Sequence, residues 1–251
     1  MVLIDIHLEG IKKERFFDND PTKLLREILT RNVPVVLSLP PWMENYWMES
    51  EKGPETIELA REVVKRPGSF LGQQGNMHRC SYPHGLVDPW HENYCLWGPR
   101  KSAKEQRNFM TEGRDRLSEF MDVEPKVYCP PNHLWDNTTL HVADEMGYTH
   151  VTDKAMIPLA PYRFGGLIVV PEGDMRKGDF MNAAAYIHYD ELDSHREFYR
   201  QAMQGSISLA DITPERVSQK LIDRNRRMKH MHKIARDLVR MPQTAWRTLR
   251  S

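Results

Sequence analysis

An α/β fold built on a parallel sheet is the class this sequence predicts, and three observations predict it. Seven short runs rich in β-branched and apolar residues recur along the chain. Amphipathic helical segments separate most of them, and acids, imidazoles and amides collect at the C-terminal ends of several runs. Strand–helix alternation implies parallel pairing through right-handed crossovers. Short strands covered on both faces suit either a closed barrel or a doubly wound sheet, and periodicity alone leaves both open. In either architecture, chemistry belongs at the C-terminal ends of the strands.

The first run, Val2 to Leu8, alternates so that Asp5, His7 and Glu9 share one face, opposite Ile4, Ile6 and Leu8. Thr22 to Asn32 follows as a helix with Leu24, Leu25, Ile28 and Leu29 on one side. Val33 to Leu39 is the second strand and stops at Pro40-Pro41, which cannot continue a central ladder. Pro54 opens a helix in a first-turn position it tolerates, with Ile57, Ala60, Val63 and Val64 as its buried stripe. Ser69 to Gln73 is the third strand. A long loop from about Gly75 to Arg100 then carries too many aromatic residues for disorder, and loops of that length usually have a function.

Ser102 with Glu105 forms a capping box for a long helix whose buried face is Phe109, Met110, Gly113, Leu117, Phe120 and Met121. Lys126 to Cys129 is a strand ending at Pro130-Pro131. Asp136 caps a helix with Leu140, Ala143 and Met146 inward and Gly147 just past its end. Thr149 to Thr152, Leu167 to Val170 and Ala183 to His188 complete the set of strands, and a last barrel helix carries Phe198, Tyr199, Ala202 and Met203.

Composition bounds the function. Lys plus Arg and Asp plus Glu each number 35 among 251 residues, so no global excess of positive charge recruits nucleic acid, and none is expected as a partner. No run reaches the roughly 20 apolar residues of a membrane span, and the N-terminus lacks a signal-peptide core. The expected location is therefore cytoplasmic. Three cysteines (Cys80, Cys95 and Cys129) are too few for a disulfide framework, although a Cys80–Cys95 bridge stays open.

The chain divides into a barrel-like unit, residues 1–210, and a basic helical extension, residues 211–251. From Pro214 onward 11 Lys or Arg stand against 3 Asp or Glu, and Val217, Leu221, Met228, Met231, Ala235 and Leu238 recur at helical spacing. Two readings compete for this extension. One is a basic amphipathic helix on an anionic membrane surface or partner, which would make the protein peripheral to the inner membrane face. The other, which is favoured, is a terminal helix packed on the barrel through its apolar stripe with a solvated basic face.

Polar groups at four strand ends define the candidate site: Asp5 and His7, then Gln74 and His78, then Asn132, His133 and Trp135, and finally His188. Each alone is explained by a satisfied strand end or core. Together, an acid, several imidazoles and an amide at one mouth can form a metal-assisted hydrolytic site. A second metal candidate lies in the long loop, where Cys80, His84, His91 and Cys95 place four zinc-competent side chains within sixteen residues. Trp42, Tyr46, Trp47, Trp90, Trp97 and Trp135 could stack on sugar faces, or simply pack beneath large loops.

These residues resemble those of the polysaccharide deacetylases. Leu71-Gly72-Gln73-Gln74-Gly75-Asn76-Met77-His78 is similar to their G-x-H-G-x-x-H segment. Pro130-Pro131-Asn132-His133-Leu134-Trp135, continuing through Thr139-Leu140 to Met146-Gly147-Tyr148, is similar to their R-P-P … T-L … L-G-[FY] segment, and Ala183 to His188 to their closing strand. The resemblance covers about residues 2–205. It implies a distorted (β/α)7 barrel and a hydrolase that removes acyl groups from amino sugars with a divalent metal, usually zinc. By position it implies Asp5 or His7 as base, His188 as acid, His78 as a metal ligand with Asp5 or His7, and Gln74, Asn132, His133 and Trp135 as substrate contacts.

The departures matter. Gln74 stands where a metal histidine is expected, Ile6 follows Asp5 where a ligand aspartate is expected, and Cys129 replaces the arginine before the double proline. A related enzyme cleaving another non-peptide C–N bond, an inactive carbohydrate-binding or scaffolding descendant, and a partner-binding module centred on the basic tail are the alternatives.

Overall fold

A computed structural model describes residues 3–8, 21–41, 53–77, 92–94, 100–174, 184–188 and 202–248, without the side chains of 174, 187, 188 and 240–248. Alternation along β1 (Leu3–His7) sends Ile4 and Ile6 outward, and helices α1 (Pro21–Arg31) and α2 (Gly53–Val64) bring apolar stripes to meet them. Strands β2 (Val36–Leu39), β3 (Phe70–Gln74), β4 (Val127–Cys129), β5 (His150–Lys154), β7 (Leu167–Asp174) and β8 (Ala184–His188) join β1 in parallel. Their order is β5-β4-β3-β2-β1-β8-β7, and a parallel β5–β7 pairing closes the ring into a seven-stranded barrel. The closed-barrel alternative is thus the observed one. Helices α3 (Ala103–Met121) and α4 (Asn137–Glu145) cover further strands. Both begin at the expected caps, Ser102 with Glu105 and Asp136 with Thr139.

Two elements differ from expectation. β6 (Tyr162–Phe164) is an additional strand, antiparallel to β7 across a two-residue Gly165-Gly166 turn. Gly165 has φ +59°, and a Cβ there would come within 2.2 Å of Asp144 Oδ2, so the turn needs glycine. β7 also runs past Val170, because the ladder resumes beyond Pro171, where Ala155 N donates to Glu172 O at 2.9 Å.

Helix α5 (Gln219–Thr248) docks across the C-terminal ends of β4 and β5 with its faces reversed from the favoured expectation. Val217, Leu221 and Ile222 do pack on the core. Beyond them the buried side chains are Asn225, Lys229, Lys233 and Asp237, a polar row four residues apart. Lys229 Nζ donates to both Asp153 oxygens at 2.5 and 2.7 Å, and Asn225 Oδ1 accepts from Met156 N at 2.7 Å. The apolar residues Met228, Met231, Leu238 and Val239 face outward, Met231 and Val239 being 69% and 70% exposed.

Candidate active site and metal centre

Strand pairing fixes which side chains enter the barrel. Asp5 is in register with Val36 and Tyr186, His7 with Ser38 and His188, and Gln74 with Cys129. Inside, Asp5 Oδ1 accepts from Ser38 Oγ at 2.7 Å and Asp5 Oδ2 lies 3.5 Å from His7 Nε2. His7 Nε2 is 3.8 Å from Cys129 Sγ, and His7 Nδ1 is 3.3 Å from Gln74 Nε2. The His7 ring stacks on Tyr186 at a centroid distance of 5.4 Å, and the His133 ring is tilted against both at 5.8 and 5.2 Å. Lys154 Nζ donates to Tyr186 Oη at 2.8 Å, and Lys154 N donates to His133 Nδ1 at 3.1 Å. Asp5, His7 and Glu172 have no solvent exposure, whereas Lys154 and His133 are only half-buried.

The electrostatics are those of a shared proton. Burial raises the Asp5 carboxyl, but the charge and hydrogen bond of His7, with Glu172 and Ser38, carry it below the ordinary carboxylate range. Burial, followed by the Asp5 charge, drives Glu172 in the opposite direction, well above that range. The pair therefore keeps one proton on Glu172 while Asp5 is ionised. Asp5 Oδ2, both Glu172 oxygens and Gln74 Oε1 are buried without a hydrogen-bond donor. The proton held by Glu172 can satisfy only one contact among these oxygens, so the rest call for another donor or a cation.

Asp5, His7 and Cys129 bring a carboxylate oxygen, an imidazole nitrogen and a sulfur within 4.8 Å of one another. That donor set fits a zinc-type ion, for which carboxylate, imidazole and thiolate are all ordinary ligands. Gly72 contributes by being small. A Cβ there would lie 2.4 Å from the Ser38 hydroxyl that holds Asp5.

The structure thus brings Asp5, His7, Gln74 and His133 together and buries Trp135 in the core outside that cluster. Trp135 is 2% exposed, sits in the second apolar cluster and is overlain by the Lys229 ammonium at 4.9 Å, so its ring offers no face to a sugar. Asn132 Oδ1 accepts from Arg236 of α5 at 3.2 Å. His188 pairs with His7 in backbone register, and its side chain lies outside the described residues. His78, Cys80, His84, His91 and Cys95 also lie outside them, as do Glu9 and the tryptophans other than Trp135 that the described ranges omit. Sequence reasoning missed Glu172, Tyr186, Lys154 and the ligand potential of Cys129. The last had a signal: Cys129 shares inward parity with Gln74 at a strand end.

No protein-family model matches this sequence, and no curated protein matches it. Solved structures do match in fold. A candidate polysaccharide deacetylase from Mycobacterium smegmatis superposes with a TM-score of 0.56 at 15% identity, covering 87% of this chain and 93% of that one. A 4-alpha-glucanotransferase from Thermococcus litoralis gives 0.53 at 12% identity, over 88% of this chain and 40% of that one. A CE4 family pseudoenzyme from Bacillus anthracis gives 0.50 at 11% identity, over 86% and 66%. The chain has the (β/α)7 barrel fold of these proteins, extended by α5.

Proposed function

We propose that the chain is a hydrolase of the polysaccharide-deacetylase type, removing an acyl group from an amino sugar or cleaving a related non-peptide C–N bond. One observation carries the reading: a buried carboxylate–imidazole pair, Asp5 and His7, with orphaned oxygens beside it, at the C-terminal mouth of a barrel of this fold. Ionised Asp5 orients His7 and stabilises its protonated form, so His7 can take a proton from attacking water. Glu172 retains its own proton and keeps the mouth from carrying two adjacent negative charges. His188, level with His7, is assigned proton donation to the leaving amine, and the Lys154–Tyr186 pair polar contact with the substrate. A divalent cation held by Asp5, with His7 left as the base, would polarise the acyl oxygen and lower the pKa of water.

The test is acetate release from chitooligosaccharides by the full chain, with and without added zinc or cobalt. Release is expected, and His7→Ala should reduce it by about 10²-fold or more. The second reading is a descendant that binds carbohydrate without hydrolysing it, favoured by Gln74 at the position where the resemblance expects a metal histidine. Calorimetric binding of the oligosaccharide with no acetate release would select it. Among the described residues no helix is long and apolar enough to cross a membrane. The outward apolar residues of α5, flanked by exposed Arg224 and Arg227, support peripheral contact with an anionic surface. Sedimentation with phosphatidylserine vesicles but not neutral ones, lost in Met231→Glu, is the expected result.

A further inference from the structure

We infer that Asp5, His7 and Cys129 are the ligands of a divalent zinc-type ion, a thiolate-bearing site inside the barrel in place of the two-histidine site that the resemblance implies. Three features carry this. The first is spacing. A tetrahedral ion with bonds of about 2.0 to 2.3 Å sets its ligand atoms roughly 3.3 to 3.6 Å apart. The Asp5 Oδ2–His7 Nε2 and His7 Nε2–Cys129 Sγ separations are 3.5 and 3.8 Å, so small side-chain movements suffice. The second is the orphaned Asp5 Oδ2, fully buried and aimed into the cluster.

The third is Gln74. In the arrangement where its amide nitrogen faces His7 Nδ1, the Nε2 of a neutral imidazole carries the hydrogen and cannot bind a metal. Its Oε1 is then left buried without a donor. Rotating the amide by half a turn presents Oε1 to an Nδ1 hydrogen, satisfies that oxygen and frees the Nε2 lone pair toward Asp5 and Cys129. Gln74 therefore acts on the ion through His7 and is a positioning residue. Three protein ligands leave a coordination position open, as in catalytic zinc sites, and binding releases the Cys129 thiol proton to solvent. The ion and the proposed base are alternative uses of the His7 imidazole, so the site does not depend on the proposed hydrolysis.

Cobalt titration of the metal-stripped full chain tests the assignment, with circular dichroism as the check on fold. The expected result is one equivalent bound, with an intense near-ultraviolet thiolate-to-cobalt charge-transfer band. Cys129→Ser should abolish that band, while Cys80→Ser/Cys95→Ser should leave it intact. Absence of the band in the folded wild type, its survival in Cys129→Ser, or its loss in the loop variant would overturn the proposal. Should Cys129→Ser fail to fold, Gln74→Leu decides: a 10- to 100-fold weaker cobalt affinity supports the site and an unchanged affinity overturns it. Acetate release separates the two proposals. A thiolate band without release keeps the ion site and removes the hydrolase, and release without a band does the reverse.

Discussion

The floor and the mouth of this barrel are built by the same strands, two residues apart, and they follow opposite rules. The floor is Leu3, Val36, Val127, Val170 and Ala184, closed beneath by Leu209 and Ile212. One inward step along each strand gives Asp5, Ser38, Cys129, Glu172 and Tyr186. These floor side chains are apolar and buried, so they add hydrophobic stabilisation. The mouth buries carboxylates and an imidazole instead, where each group is costly unless its partner is in place. A shift of two residues along a strand preserves the facing and exchanges stability for reactivity.

The largest expected effect lies beside the mouth, where α5 meets the outer face of β5. Lys229→Ala leaves the buried Asp153 carboxylate without its cation and should cost about 3 to 5 kcal/mol, read from urea midpoints. Lys229→Met with Asp153→Leu should recover most of the loss, since both charges are then gone. Next comes the floor: Leu3→Ala should cost about 2 to 5 kcal/mol while cobalt affinity per folded molecule stays unchanged. Glu172→Gln should move stability the other way, with a gain of about 1 kcal/mol at pH 8, because a neutral isostere replaces a carboxyl that burial holds protonated. A Glu172→Gln variant as damaged as Leu3→Ala would erase the distinction.

Last comes a pH dependence common to both ends. Burial pushes His150, near the floor, down to about 4, and burial with neighbouring cations does the same to His230 on α5. Unfolded histidine takes up a proton near pH 6.5, whereas the folded side chains resist it. Their contribution is therefore intact above pH 6.5 and is lost as pH falls toward 4. Urea midpoints should fall across that window, and His150→Asn should flatten the decline.

Much of this architecture was legible because strand parity and punctuation are local. Alternation around Asp5 and His7 marks β1, prolines 40, 41, 130 and 131 end β2 and β4, and short apolar runs mark the other four barrel strands within a few residues. β6 escaped because three residues are too few to show a period, although Gly165-Gly166 was an available turn signal. Glu172 escaped because the apolar run that marks its strand ends at Val170, two residues short of it. The reversal of α5 was invisible for a different reason: periodicity shows that a helix has two faces, but the partner decides which face is buried. That partner was Asp153, some 76 residues away. Bringing Cys129 beside His7 likewise depends on ring closure, which no local pattern encodes.

Gly72 gives a way to recognise kin that overall similarity would miss. Its missing side chain makes room for the Ser38 hydroxyl, and that hydroxyl steadies the acid on the adjacent strand. Lineages retaining the serine should be barred from enlarging the neighbouring glycine, and those that abandon one should be released to abandon the other. A joint glycine–serine fingerprint, scored across distant genomes, would sort chains that still guard this carboxylate from those in which only the barrel survives.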